Sequence, residues 1–428
     1  MTRSPALMVY LLASRLAGPM AGSLLRRRLA RGKEDAARLG ERLGQAGRAR
    51  PDGPLIWLHG ASVGEAMSML PLIDAIRQRS RASILITTVT VTSARRIGAL
   101  LPDGACHQFV PVDTARAVGR FLDHWRPDLA VWIESELWPR LVHETARRGI
   151  PAALINARVS EKSMARWRRA PGMARDLLGA FRVILTQDEE TRERLASIGV
   201  DARFGGNLKA LVPSEPVDAA ELAALRMALG PRPVWLAAST HAGEEEQVLA
   251  AHRRVIEAGS KGLEPVLILA PRHPERRDEV TDLLRHEGLA FPCRSDDRLP
   301  GSDTQVFLAD TLGEMALWYR LAPVTFVGGS LVDKGGHTPF EPVQLGSAVI
   351  HGPHTGNFAP AYRALADAGA ARCVDGPADL SKAVMALLAG DDGSRTEQVK
   401  RAHAVHVELK PDVGEVAEEV LSLMEASA

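Results

Sequence analysis

The sequence predicts an α/β protein of two doubly wound domains, each a parallel β-sheet covered by helices on both faces. Three observations carry this. The 428 residues suit two or three domains at roughly 150 residues each. Beyond residue 50, short Val-, Ile- and Leu-rich runs alternate with helical stretches, as expected of strands buried on both faces of a sheet. The stretch Leu211-Val212-Pro213-Ser214-Glu215-Pro216-Val217, proline-punctuated and polar, divides those runs into two sets and puts the boundary near residue 212.

In chain order, the first set gives strands at 55–59, 84–88, 108–112, 129–134, 152–156 and 183–186. The second gives 234–238, 266–270, 306–309, 324–327 and 348–351. The expected division is a segment 1–33, a domain 34–212 and a domain 213–428. No low-complexity tract or short-period repeat interrupts them, which excludes solenoids and propellers. With 46% hydrophobic and 25% charged residues, the chain is neither disordered nor collagen-like. A net charge of +1 supplies no field to attract nucleic acid, so no nucleic-acid partner is expected. Cys106, Cys293 and Cys373 lie far apart with no C-x-x-C pair, which argues against a disulfide framework or zinc ribbon and suits a reducing compartment.

Charge is unevenly spread. Residues 1–50 hold eleven basic and three acidic residues, net +8, against 42 basic and 49 acidic in the remainder. Residues 5–25 are apolar except for Ser14, Arg15 and Ser23, and Arg26, Arg27, Arg28, Arg31 and Lys33 follow. A spanning helix needs about 20 predominantly apolar residues and a central arginine costs roughly 2.5–3.5 kcal/mol. With Gly18 and Pro19 as further breaks, the segment is read as lying in the interface of an anionic membrane surface, its arginines cytoplasmic. The competing reading is an ordinary buried helix.

In doubly wound sheets, ligands meet the carboxyl ends of the strands. Five such ends carry unusual polar and glycine residues: HGASVGE, ESELWP, STH, PRHP and GGS. Glu65 falls in the first turn of a helix, where the dipole favours its carboxylate by roughly 0.3–1 kcal/mol; service as a general base would need burial to offset this. Glu134 directly ends an apolar strand, with Glu136 as its rival. The glycine-rich run 328–341 offers backbone N–H groups for a phosphate, yet matches neither a P-loop nor G-x-G-x-x-G, so kinase and ordinary dinucleotide readings lose support. Glu341 is placed to accept from a ribose or simply to be solvated. Arg272 is placed to meet a phosphate with its forked guanidinium, or to pair with Glu275 on the surface. Lys209 adds a cation near the domain junction. Among 13 histidines no H-E-x-x-H or similar metal spacing occurs. His241, ahead of Glu244-Glu245-Glu246, is the nearest approach and reads better as a helix start, so no metal is expected.

Taken together and in order, HGASVGE, ESELWP, INARVS, GNLK, STHAGEEE, APRHPER, TLGEM, FVGGSLVDKGGHTPFEP and GPHTGNF resemble the 3-deoxy-D-manno-octulosonic acid (Kdo) transferases of Gram-negative bacteria. The resemblance runs to about residue 358; the last seventy residues match weakly and carry no site. It implies a GT-B glycosyltransferase, two Rossmann-like domains facing across a cleft with an N-terminal membrane-associated helix. The implied reaction moves Kdo from CMP-Kdo to a lipid A precursor, lipid IVA, with inversion, at the cytoplasmic side of the inner membrane, in lipopolysaccharide biosynthesis. The implied proton acceptor is Glu65, and Glu134 and Lys209 stabilise the transition state. The implied CMP site is Pro271, Arg272, Gly313, Glu314, Met315, Thr338, Pro339, Phe340 and Glu341, with Thr338 where relatives often have Asn. CMP-Kdo is then the donor substrate, and no cofactor is expected. Other readings are another GT-B enzyme, a sugar-nucleotide epimerase on the same scaffold, or a non-catalytic nucleotide-binding membrane protein.

Overall fold

Among the described residues the apolar runs become thirteen strands in two sheets, paired in parallel throughout. The structure is a computed structural model that describes residues 4–134, 136–258, 264–389 and 393–426. Residues 1–3 of the N-terminal segment and Ser135 of ESELWP lie outside the described residues.

The chain forms two compact units, Met1–Val212 with Lys410–Ala428, and Pro213–Leu409. The expectation of one domain over 213–428 is thus corrected at its end. The helix Val413–Glu425 belongs to the first unit, where Val416, Ala417 and Val420 share a core with Ala66, Met69, Leu72 and Ile73 of the helix Val63–Arg79. Helical spacing shows that such residues face a core, but not which one.

In the first unit the strands are β1 Leu55–His59, β2 Ser83–Thr88, β3 Ala105–Phe109, β4 Leu129–Ile133, β5 Ala152–Ala157, β6 Val183–Thr186 and β7 Arg203–Phe204. Their order is β3-β2-β1-β4-β5-β6-β7, so connections turn to opposite sides at β1 and β4. The expected strand at 108–112 sits three residues earlier. Pro111 cannot donate to a ladder, and Val112 N–H donates instead to Arg42 C=O at 2.8 Å. Trp57, Phe121, Trp125 and Trp132 fill the core on one face of this sheet.

The N-terminal helices Pro5–Leu16 and Gly18–Ala30 are part of this unit rather than a free anchor. Leu7 and Leu11 enter the same core, Tyr10 Oη donates to Asp113 at 2.8 Å, and buried Arg140 donates to Ser14 Oγ at 2.9 Å. The opposite face leaves Met8, Val9, Leu12, Leu16, Met20 and Leu24 exposed. No single helix among the described residues is long and apolar enough to cross a membrane; these two pass by length and composition only as a pair bent by 71°.

The second unit holds β8 Val234–Thr240, β9 Val266–Pro271, β10 Val306–Leu308, β11 Val324–Val327, β12 Ala348–His351 and β13 Ala371–Cys373. Their order, β10-β9-β8-β11-β12-β13, turns at β8 and β11. β7 and β13, of two and three partly exposed residues, are too short and too polar to register in the sequence pattern.

Candidate active site

In a doubly wound sheet the crevice lies where the strand order reverses. In the first unit that point is flanked by the segments after β1 and β4, which carry Glu65 and Glu134. β1 ends at His59, buried, with Nδ1 2.9 Å from Thr87 Oγ1; burial pushes its imidazole down to about 4, so the ring is neutral. A Cβ at Gly60 would fall 3.1 Å from Glu65 Cβ and would press the end of the Met69 side chain aside. Ser62 then caps the helix Val63–Arg79. Its hydroxyl accepts from Glu65 N–H at 3.2 Å and donates to Glu65 Oε1 at 2.8 Å, while Ala61 N–H donates to Oε2 at 2.7 Å. This reciprocal cap fixes the carboxylate by its own turn.

Glu65 is 8% exposed. Burial and the nearby Glu134 charge hold its carboxyl above the ordinary glutamate range, against the Ala61 and Ser62 hydrogen bonds and the Lys209 charge. The offset to the helix dipole that a base requires is therefore present. Glu134 takes a left-handed backbone, φ 63°, at a cost of roughly 1–2 kcal/mol for a residue with a Cβ. Its N–H donates to Ile155 C=O at 3.0 Å, and its carboxylate pairs with Lys209 Nζ. Glu136, the rival, is exposed and accepts from Trp138 Nε1 at 3.0 Å.

Two asparagines that the sequence did not single out hold this arrangement. Asn156 is also left-handed, φ 57°, where the β5–β6 register shifts. Its Oδ1 accepts from Leu208 N–H at 3.0 Å and its Nδ2 reaches Glu134 Oε1 at 3.5 Å. Asn207 caps the turn Leu208–Leu211 by accepting from Lys209 N–H at 3.0 Å. Asparagine in INARVS and GNLK, adjacent to strand and turn ends, is the signal by which they could have been found.

In the second unit, Arg272 follows β9, the segment 313–315 follows β10 and 338–341 follows β11, so all three lie along the carboxyl edge of one sheet. Pro271 closes β9, buried. Arg272 is exposed and bonded through its N–H to Thr240 C=O at 2.9 Å; Glu275 lies 3.2 Å from His273. Gly313 has φ 88°. Burial would raise the Glu314 carboxyl, but Arg294, 2.7 Å away, and Thr311 hold it below the usual range. The Glu314 side chain is thus engaged within the protein. Met315 opens the helix Met315–Leu321. Thr338 Oγ1 accepts from Phe340 N–H at 3.3 Å. Pro339 and Phe340 are buried, and burial raises the Glu341 carboxyl.

The glycine-rich loop corrects one expectation. Three of its N–H groups do not stand open for a phosphate: Gly329, Ser330 and Leu331 donate to the fully buried Glu244 carboxylate at 2.7, 3.0 and 2.9 Å, joined by His241 N–H at 3.2 Å. Glu244 thereby ties the segment after β8 to the segment after β11, the turning point of this sheet. Ser239, at the end of β8, is a third left-handed residue, φ 56°, where the β8–β9 register shifts. Glu134 and Ser239 flank the two turning points, and Asn156 lies one strand further out, on β5. Chemically, the first unit brings together two carboxylates, Glu65 and Glu134, and one cation, Lys209. The second offers Arg272, Lys334, His241, His273 and His337, a setting for an anion. Among the described residues no group of three or more His, Cys, Asp or Glu is arranged to hold a metal ion.

Solved structures with the same architecture include the UDP-GlcNAc 2-epimerase of Neisseria meningitidis, with TM-score 0.59 at 13% identity over 87% of this chain and 100% of that one. The calicheamicin glycosyltransferase CalG4 gives 0.51 at 15% identity over 88% and 99%. These define the fold class as GT-B, two Rossmann-like α/β domains in one chain. Residues 37–212 match the family model of the 3-deoxy-D-manno-octulosonic-acid transferases. The 3-deoxy-D-manno-octulosonic acid transferase of Haemophilus influenzae is 37% identical over 82% of this chain and 83% of its own length. A probable mitochondrial 3-deoxy-D-manno-octulosonic acid transferase of Arabidopsis thaliana is 34% identical over 87% and 86%. The chain belongs to the Kdo transferase family and is a glycosyltransferase.

Proposed function

We propose that this Kdo transferase takes Kdo from CMP-Kdo and attaches it to a lipid A precursor, lipid IVA, with inversion at the anomeric carbon. The observation that carries the reading is Glu65, buried, held by Ser62 and Ala61, and raised in pKa beside Glu134 at the turning point of the first sheet. Glu65 takes the proton of the acceptor hydroxyl as that oxygen attacks the anomeric carbon. The bond from that carbon to the phosphate oxygen breaks, and CMP leaves with the electron pair. One displacement inverts the centre once. Lys209, paired with Glu134, stabilises negative charge as it develops. Pro271, Arg272, Gly313, Glu314, Met315, Thr338, Pro339, Phe340 and Glu341 hold the nucleotide, with Arg272 on the phosphate and, because its side chain is bound to Arg294, Glu314 acting through its backbone. No metal or other cofactor enters the step.

The exposed apolar face of the helices Pro5–Leu16 and Gly18–Ala30, with exposed Arg15, Arg26, Arg27 and Arg31 beside it, supports a place on the cytoplasmic surface of the inner membrane. There the acceptor's acyl chains stay in the bilayer while its sugars are offered to the enzyme. Mass spectrometry after incubation with CMP-Kdo and lipid IVA tests the reading directly, the expected product being the acceptor with added Kdo. A general base contributes typically 10²–10⁴-fold, so Glu65→Gln lowers kcat by at least about 10²-fold with CMP affinity unchanged. Near-normal turnover in that variant would move the base elsewhere.

A further inference from the structure

The segments that meet at β8 and β11 bring together two imidazoles with no role so far. His241 Nε2 and His337 Nε2 lie 2.9 Å apart, with ring planes 3° from parallel and centroids 5.2 Å apart. That centroid separation is what the contact and the two ring radii add up to, so the rings meet head-on in one plane and do not stack. A head-on pair needs one N–H and one lone pair, and therefore holds a single proton between its facing nitrogens. A Cβ on Gly329, itself at φ 67°, would fall 3.2 Å from His337 and 3.4 Å from His241; the glycine leaves the rings their room.

The surroundings are cationic. His273, 5.7 Å from His241 between ring centroids, Arg272 and Arg276 come from the segment after β9, and Lys334 from the segment after β11. Of the acids around them, the Glu244 carboxylate is taken up by four N–H groups, Glu275 lies 3.2 Å from His273, and Glu245 and Glu279 pair with Arg276 at 2.9 and 2.7 Å. Tyr362 Oη donates to His337 C=O at 2.9 Å and fixes that backbone. Burial, with these cations, keeps both imidazoles neutral, His337 down at about 4. An anion seated on Arg272 reverses the local sign.

We infer that the His241–His337 pair is a proton-accepting part of the donor site, taking up one proton as the nucleotide phosphate binds. The facing nitrogens keep their shared proton and the one taken up goes to the Nδ1 of the ring that donates it, giving an imidazolium hydrogen-bonded to a neutral imidazole. The donor's phosphate then meets an added positive charge that is absent from the free enzyme. The inference rests on the proposed CMP-sugar site.

The test is calorimetry of CMP binding to the full chain near pH 6, repeated in buffers of different ionisation enthalpy, which counts protons taken up per CMP. The wild type takes up more than His337→Gln and His241→Gln, by about half a proton or more. Titration of the CMP phosphate itself, with a pKa of about 6, is common to all three proteins and cancels in the difference. Should either variant fail to fold, imidazole nitrogen shifts of the wild type serve: with CMP, one of these two rings becomes cationic. CMP bound with equal uptake in all three proteins, or with both rings still neutral, overturns the inference while leaving the nucleotide site standing. No CMP binding by the wild type overturns both.

Discussion

Removing the Lys209 charge should move the acid limb of the activity profile upward. Lys209 is paired with Glu134 and lowers the Glu65 pKa, which burial and Glu134 raise. In Lys209→Met two carboxylates share the site with no cation between them, and the pair becomes harder to ionise fully. Unit charges about 4 Å apart are worth about 4 kcal/mol at an effective dielectric near 20, and about 2 kcal/mol at twice that distance. Taking the wider separation, at 1.36 kcal/mol per pH unit, the shift is about one and a half units. A base must be deprotonated to act, so activity is lost first at low pH, and the half-maximal point of kcat/KM on the acid side rises by that amount. The assay is Kdo transfer from CMP-Kdo to lipid IVA across pH 4.5–8.5, with melting curves to confirm folding. Glu134→Gln combined with Lys209→Met removes one charge of each sign and should return the limb toward the wild-type position. A limb that stays put in Lys209→Met, or moves to lower pH, refutes the electrostatic coupling argued for these three residues.

Other outcomes follow from the same geometry. Arg272→Ala weakens CMP binding by about tenfold or more, as loss of charge-assisted hydrogen bonds worth roughly 1.5–3 kcal/mol requires; unchanged affinity by calorimetry would place the phosphate elsewhere. Because Glu65 has a raised folded pKa, its favourable contribution to stability is present below the unfolded pKa and is lost as pH rises through the folded one. Glu65→Gln should therefore melt above the wild type at pH 8 and close to it at pH 4, and the reverse order would contradict the shift. Glu244→Ala strands four N–H donors and costs at least about 1–3 kcal/mol, the penalty of one buried unpaired donor, seen as a lowered melting temperature; an unchanged one would mean that the carboxylate does not hold the loop. Leu12→Asp with Met20→Asp should release the protein from anionic vesicles without changing its melting temperature, since both side chains are exposed. Undiminished sedimentation with vesicles would assign the apolar face another task.

Much of this molecule could be read from its residues because doubly wound sheets put chemistry at predictable places. Runs such as LIWLH and VWLAAST mark buried strands by composition, and the polar residues that follow them are then candidates by position alone. Glu65 and Glu134 emerged in this way. The burial of Glu65 and its pairing with the Glu134 charge did not, because the β4 segment is brought beside it only by the sheet. The GGS loop was misread for a related reason. Glycine-rich backbone before a helix suits a phosphate, but Glu244, some eighty-five residues earlier in the chain, reaches those N–H groups first. The head-on imidazoles escaped notice because His241 and His337 lie 96 positions apart and follow no metal spacing. The N-terminal helices show the limit of composition: an apolar run looks the same whether its side chains face a core, as Leu7 and Leu11 do, or lie exposed, as Leu12 and Leu16 do.

The return of the chain to the first unit has a practical corollary. The second unit is an insertion, entered at Val212–Pro213 and left at Leu409–Lys410. A fragment ending at residue 212 lacks Val416, Ala417 and Val420, and so bares the side of the helix Val63–Arg79 that they cover, the helix on which Glu65 rides. Anyone isolating the first unit for crystallisation or binding work should splice 410–428 back on through a short linker. A tail clipped by proteolysis would silence the enzyme from the far end of its sequence.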